Sequence, residues 1–196
     1  MRVAINGFGR IGRSVFRIMN EQNDINVVAV NDLADNDALA YLLKYDTVMG
    51  RFMDTVETEG DILKTSSNTI KMLNQRDPSQ LPWAELDVDI VIEATGIFRT
   101  RALLNQHLDA GAKRIILTVP AKEDIDNMVV IGVNDGSLKS EHKIISNASC
   151  TTNCLAPMAK ILHDNFGIEF GVINTIHAYT NDQRLADVPH SDWRRS

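Results

Sequence analysis

The sequence has 196 residues, 44% of them apolar, enough to bury the core of one full domain and part of another. With 26 acidic residues against 20 basic ones, and no basic run longer than Arg194-Arg195, it has the wrong sign for a polyanion, so no nucleic-acid partner is expected. No apolar run approaches the ~18 residues of a membrane span and the N-terminus enters a strand directly, so the expectation is a cytoplasmic chain with no membrane contact.

Arg2-Val-Ala-Ile5 is a short apolar strand, and Gly7-Phe8-Gly9-Arg10-Ile11-Gly12 opens a helix whose Val15, Phe16 and Met19 share one side. Glycines spaced in this way between strand and helix have a mechanical reading. Gly7 allows the tight turn, Gly9 lets a diphosphate approach the backbone, and Gly12 lets helix and strand pack closely. The diphosphate would rest on the helix N-terminus, with the amides of Arg10 and Ile11 as donors. The next strand, 25–30, ends in Asn31-Asp32, and Asp32 stands 20 positions after Gly12. A carboxylate there accepts from both hydroxyls of an adenosine ribose and repels a 2′-phosphate, which points to NAD rather than NADP.

Residues 35–44 read as a capped amphipathic helix. The stretch 45–74 is polar and alternating, which predicts short antiparallel strands at the margin of the sheet. Residues 88–96 read as a strand with a short turn at its carboxyl end, and Thr95 and Gly96 stand there, where parallel sheets bind ligands. A helix over 101–109 leads through Gly111 to a strand over 114–118, and 128–131 and 143–145 supply the remaining strands. Strands alternating with helices, without repeats or low-complexity linkers, give an α/β fold with a doubly wound, mostly parallel sheet.

After Ser146-Asn147-Ala148-Ser149 the chain takes up helical spacing, so Cys150 is expected in the first turn of a helix capped by Ser149 or a neighbour. Backbone N–H groups and the helix dipole stabilise an anion there, which lowers a thiol below its usual ~8.5 and suits it to be a nucleophile. Cys154 lies one turn further in and reads as a small apolar residue. Two cysteines make no disulfide framework, and a zinc site would lack a second closely spaced ligand pair, so no metal is expected. The candidate base for Cys150 is His177, in the run 171–180, which is predicted to be a strand returning beside the thiol. The domain boundary is expected near Ser149, with a nucleotide-binding domain over 1–149 and a second domain beginning at 150–196.

The run Ser-Asn-Ala-Ser-Cys150-Thr-Thr-Asn-Cys-Leu-Ala-Pro, with Thr-Ile-His177-Ala-Tyr-Thr-Asn-Asp-Gln, resembles the active-site signature of the phosphorylating glyceraldehyde-3-phosphate dehydrogenase family. Ile5 to Gly12 and Leu42-Leu-Lys-Tyr-Asp-Thr47 match that family too. The resemblance implies a Rossmann-type NAD-binding domain followed by the start of an α+β catalytic domain that continues beyond Arg195. It implies NAD-dependent oxidation of glyceraldehyde 3-phosphate with inorganic phosphate to 1,3-bisphosphoglycerate through a Cys150 thioester, with His177 as the base. A homotetramer is implied for the full-length architecture. By the same resemblance Arg76 lies by the adenine, Thr118 contacts the cofactor, and Ser149, Thr151, Thr180 and Arg195 hold the substrate's phosphate or the attacking one. Val188-Pro189 resembles the pair near the cofactor ribose in NAD-preferring members, which agrees with Asp32. Erythrose 4-phosphate is the alternative substrate, although 179–183 resembles the glyceraldehyde 3-phosphate enzymes more. The rival from another class is a non-catalytic NAD-binding or interaction protein, in which Cys150 would react like any solvent thiol.

Overall fold

β1 (Arg2–Asn6) leads through the glycine turn into α1 (Arg10–Asn20), and β2 (Asn26–Asn31) returns parallel to β1. These elements come from a computed structural model that describes residues 1–180 and Arg194. α2 (Asn36–Lys44) is capped by Asp35, whose Oδ1 accepts the Ala38 N–H at 3.0 Å. Three short strands follow, β3 (Glu57–Glu59), β4 (Ile62–Lys64) and β5 (Thr69–Leu73). β3, β4 and β5 pair antiparallel in turn, and β5 pairs parallel to β2, so the expected marginal strands are present. The chain continues through β6 (Ile90–Glu93), α3 (Arg101–Asp109), β7 (Arg114–Leu117), β8 (Asn127–Met128), β9 (Ile144–Ser146) and α4 (Cys150–Phe166).

The sheet order is β3-β4-β5-β2-β1-β6-β7-β9-β8, and every pairing from β5 to β8 is parallel. β2 lies on one side of β1 and β6 on the other, so the connections diverge and open a crevice at the carboxyl ends of β1 and β6. This is the Rossmann-type sheet that the sequence predicts.

Both faces of the sheet are covered. Val3, Ile5, Val27 and Val30 pack with Phe8, Phe16, Leu39 and Leu43, whereas Ala4, Val28, Ala29 and Val91 pack with Leu81 and Trp83. Burial on both faces is why these strands read as continuous apolar runs rather than alternating ones. The strand expected over 128–131 stops at Met128. Asn134 takes over its ladder groups, its Oδ1 accepting the Val130 N–H at 2.8 Å and its Nδ2 donating to the Met128 carbonyl at 2.9 Å.

The chain divides into two units, Met1–Lys160 and Ile161–Ser196. The first holds the sheet, α1 to α3 and the start of α4. In the second, α4 ends at Phe166, and Gly167 closes it at φ 73° with its N–H on the His163 carbonyl at 2.9 Å. The strand expected over 171–180 does not form. No strand among the described residues pairs with it, and Val172 and Ile176 are 94% and 100% exposed. A run rich in apolar and β-branched residues becomes a strand only where a sheet edge takes the backbone and a core takes one face. No helix of the described residues is long and apolar enough to cross a membrane.

Candidate functional site

The crevice between β1 and β6 is built by backbone contact. Gly7 has φ 92°, and a Cβ on it would lie 2.6 Å from the Thr95 nitrogen and 2.8 Å from the Ala94 carbonyl carbon. A Cβ on Gly12 would lie 2.0 Å from the Gly7 carbonyl oxygen. Only glycine satisfies both positions. Gly9 differs: its φ is −70° and nothing lies within 4 Å of a Cβ there. It is the N-cap of α1 but offers no side-chain cap, and the first turn of α1 holds no acidic residue, whereas α2 has Asp35 at its cap and Asp37 in its first turn. The cap and first turn of α1 thus supply no acidic side chain of their own, which fits the diphosphate of NAD. Arg10 and Ile11 stand in that turn, and Arg10 Nη1 donates to Asp46 Oδ2 at 2.8 Å. The Met49 N–H, with those of Val48 and the Arg10 guanidinium, outweighs burial and holds the Asp46 carboxyl at about 2.

Asp32 follows β2 and is tied to the glycine turn: its Oδ2 accepts the Phe8 N–H at 2.7 Å and its Oδ1 the Ala34 N–H at 3.0 Å. Thr95 and Gly96 form the turn after β6, with Gly96 exposed at φ 72°. Thr118 follows β7, and both its N–H and its Oγ1 donate to the Glu93 carbonyl at 3.1 Å. Arg76 is exposed in the loop after β5, and its neighbour Gln75 donates its N–H to Asn31 Oδ1 at 2.8 Å. Gly7, Asp32, Thr95 and Thr118 are therefore gathered at one edge of the sheet, with Arg76 on the adjoining loop.

The same edge holds a buried polar cluster to which the sequence reading gives no role. Glu93 and His107 are fully buried, and Asn6 and Asn31 nearly so. Glu93 Oε2 accepts from Asn6 Nδ2 at 2.6 Å and faces His107 Nε2 at 3.1 Å, while Oε1 accepts the Thr95 N–H at 2.8 Å and the Thr95 hydroxyl. Trp83 Nε1 donates to His107 Nδ1 at 3.0 Å. An acid closing an otherwise apolar, two-face-buried strand is the signal that points to Glu93.

The turn into α4 is fixed on both sides. Asp126 Oδ2 accepts the N–H groups of Lys143 and Ile144 at 2.8 and 3.0 Å, and Arg101 Nη1 lies 2.8 Å from Oδ1. Burial pushes the Asp126 carboxyl up, but the Ile144 N–H, Arg101 and the Lys143 N–H outweigh it and hold the group at about 2. Beyond β9, Ser146 Oγ donates to the Val119 carbonyl at 2.8 Å and accepts the Ala148 N–H at 3.0 Å. Ala148 is buried at φ 58°, a left-handed conformation that costs a non-glycine residue about 1 kcal/mol or more. Ser149 Oγ then accepts the Thr152 N–H at 3.0 Å, the cap that the sequence predicts. Asn153 Nδ2 donates to the carbonyls of Asn147 and Ser149 at 2.8 and 3.0 Å.

Cys150 is the first residue of α4 and is exposed, with Thr151 half-buried beside it. Cys154 is exposed as well, and neither cysteine is in a disulfide. His177 and Thr180 belong to the second unit and are exposed, and His177 Nδ1 lies 2.5 Å from the Ala178 carbonyl oxygen. Arg195 lies outside the described residues, as do Val188, Pro189 and 181–183.

Residues 1–101 match the family described as glyceraldehyde 3-phosphate dehydrogenase, NAD binding domain, and residues 149–196 match the C-terminal domain of the same name. The chain is similar to glyceraldehyde-3-phosphate dehydrogenases of Thermotoga maritima (55% identical over 197 residues) and Borreliella burgdorferi (53% over 201), in each case over 100% of this chain and 59% of the relative. The corresponding protein of Priestia megaterium is 49% identical over 197 residues, covering 100% of this chain and 58% of the relative. The chain thus spans somewhat under three fifths of the length of these relatives.

Proposed function

The chain belongs to the glyceraldehyde 3-phosphate dehydrogenase family, and we propose that it carries the NAD site and the reactive thiol for oxidation of glyceraldehyde 3-phosphate with inorganic phosphate to 1,3-bisphosphoglycerate. Residues 1–149 would be the NAD-binding domain and 150–196 the N-terminal part of the catalytic domain, a division supported by the C-terminal-domain match that begins at 149. The observation that carries the reading is the strained, capped turn that presents Cys150 as the first residue of α4, beyond the carboxyl end of a strand in the sheet that also holds the glycine turn. In the full-length protein the reading extends to a cytoplasmic homotetramer.

Gly9 and the first-turn amides of α1 would hold the NAD diphosphate and Asp32 the adenosine ribose, with Arg76 by the adenine and Thr95, Gly96 and Thr118 along the crevice. NAD, when bound, accepts the hydride that leaves the substrate carbon. Cys150 Sγ adds to the aldehyde carbon, and the oxygen that gains charge is stabilised by N–H groups at the start of α4. Loss of hydride leaves a thioester on Cys150. Inorganic phosphate attacks that thioester, and Cys150 departs as thiolate. His177, whose Nδ1 lies 2.5 Å from the Ala178 carbonyl oxygen, would be the base that takes the thiol proton. Ser149, Thr151, Thr180 and Arg195 would supply hydroxyls and a fixed cation to the phosphates.

The test is the chemistry of Cys150. Carboxymethylation with iodoacetate should be fast, should slow about tenfold or more in His177→Ala, and dehydrogenase activity should vanish in Cys150→Ser. Equal labelling rates with and without His177 would overturn the thiolate–imidazole pair. A chain that binds NAD while Cys150 labels like glutathione would instead be a non-catalytic NAD-binding protein.

A further inference from the structure

The buried cluster behind the crevice is a chain of donors that runs one way. The Gln75 N–H can only donate, so the Asn31 atom 2.8 Å from it is Oδ1, and Asn31 Nδ2 donates to the Gln75 carbonyl at 2.8 Å and to Asn6 Oδ1 at 2.7 Å. With its oxygen engaged, Asn6 presents Nδ2 to Glu93. From the other side the Trp83 indole can only donate, so His107 Nδ1 accepts, Nε2 carries the proton, and that proton points to Glu93. Both lines of donors end on one carboxylate.

Glu93 passes this order on to the crevice. Its Oε1 takes both the N–H and the hydroxyl of Thr95, and the Thr95 Oγ1, its proton committed, accepts the Ile97 N–H at 3.1 Å. Its main-chain carbonyl takes both donors of Thr118. An apolar side chain at 93 would fill the same space and join β6 to the core equally well. It could not fix the direction of a loop N–H and a hydroxyl.

We infer that Glu93 is a positioning residue for dinucleotide binding, its carboxylate setting Thr95 and its carbonyl setting Thr118 in the crevice between β1 and β6. This rests on the reading of that crevice as the NAD site. Glutamine at 93 keeps the shape but must turn an NH2 toward either the Thr95 N–H or the paired donors of Asn6 and His107. His107 cannot yield by changing tautomer, because a proton on Nδ1 would meet that of Trp83.

The experiment is calorimetric titration of NAD into the chain and into Glu93→Gln, Thr95→Val, Thr95→Ser and the Glu93→Gln/Thr95→Val double variant, with the thermal transition recorded for each. Glu93→Gln and Thr95→Val should each weaken binding about tenfold, Thr95→Ser should stay within about twofold, and the double variant should also be about tenfold weaker, because both substitutions break one device. Glu93→Gln within about twofold of the unsubstituted chain, or a double variant weaker by about a hundredfold, overturns the inference. If Glu93→Gln shows no folding transition, the hydroxyl decides: Thr95→Ser retained while Thr95→Val weakens supports the inference, and the two weakening alike overturns it. An unsubstituted chain that takes up no NAD overturns the reading of the crevice itself, a result distinct from failure of the Glu93 step.

Discussion

The turn from β1 into α1 and the run from Gly171 to Thr180 carry equally dense sequence signals, and the structure treats them differently. In the first, each signal is answered within the same unit: Gly7 lies against Thr95, Gly12 against Gly7, and Asp32 reaches back to the Phe8 N–H. In the second, apolar residues lie on both sides of His177 but find no partner strand among the described residues, and Ile176 stands wholly in solvent. A turn is specified by its own residues and the strand beside it. A strand is specified only by a sheet, and the pattern that advertises it carries no backbone geometry of its own.

The sharpest test of this contrast lies within the glycine turn. Gly12→Ala places a methyl 2.0 Å from the Gly7 carbonyl oxygen and should lower the unfolding free energy by about 3 kcal/mol or prevent folding. Gly9→Ala meets nothing within 4 Å and should cost about 0.5 kcal/mol, while weakening NAD binding at the open N-terminus of α1. Urea unfolding of the two variants side by side measures the difference. Comparable losses would mean that the turn is not held by the close approach of Gly12 to Gly7.

A smaller effect tests how β9 is delivered to the Cys150 turn. A carboxyl held at about 2 in the folded chain and near 3.8 when unfolded adds stability that is present above about pH 4 and disappears as pH falls towards 2. Asp54, held at about 2 by Ser66, Asn20 and Thr55 against the upward push of burial, adds to the same acid loss. Asp126→Asn should therefore cost about 1 kcal/mol at pH 6, and its unfolding curve should converge on that of the parent as pH approaches 2. A deficit that does not change between pH 6 and pH 2.5 would show that Asp126 acts through shape rather than charge.

What the sequence discloses about this molecule follows the range of the interactions. The caps at Asp35 and Ser149 depend on neighbours three positions away and stand where the pattern puts them; β1, β2, β6 and β7 stand there too because their apolar runs find parallel partner strands and a core on both faces. β8 is shorter than its apolar run because Asn134, a loop residue, competes for its backbone. The cluster on Glu93 joins residues separated by 14, 24 and 87 positions, and no local pattern announces it. Gly7 and Gly12 were legible because close approach leaves a glycine behind; Asn6 and His107 were not, because an asparagine or a histidine looks the same in a core network as on a surface.

The least perturbing change bears on the other side of the contrast. Ile176 is 100% exposed, so Ile176→Ser removes apolar surface that water already covers, and the unfolding free energy should stay within about 0.5 kcal/mol of the parent. The same substitution at Ile92, 4% exposed in β6, would bury a hydroxyl and open a cavity together. Solubility should rise in Ile176→Ser, since Phe170, Val172, Ile173 and Tyr179 also present apolar surface along this run. A loss above about 1 kcal/mol would break the comparison, because a side chain whose removal costs that much is packed and not solvated. His177 would then stand in a run held by its own contacts, and the reactivity of Cys150 toward iodoacetate in Ile176→Ser would fall together with stability.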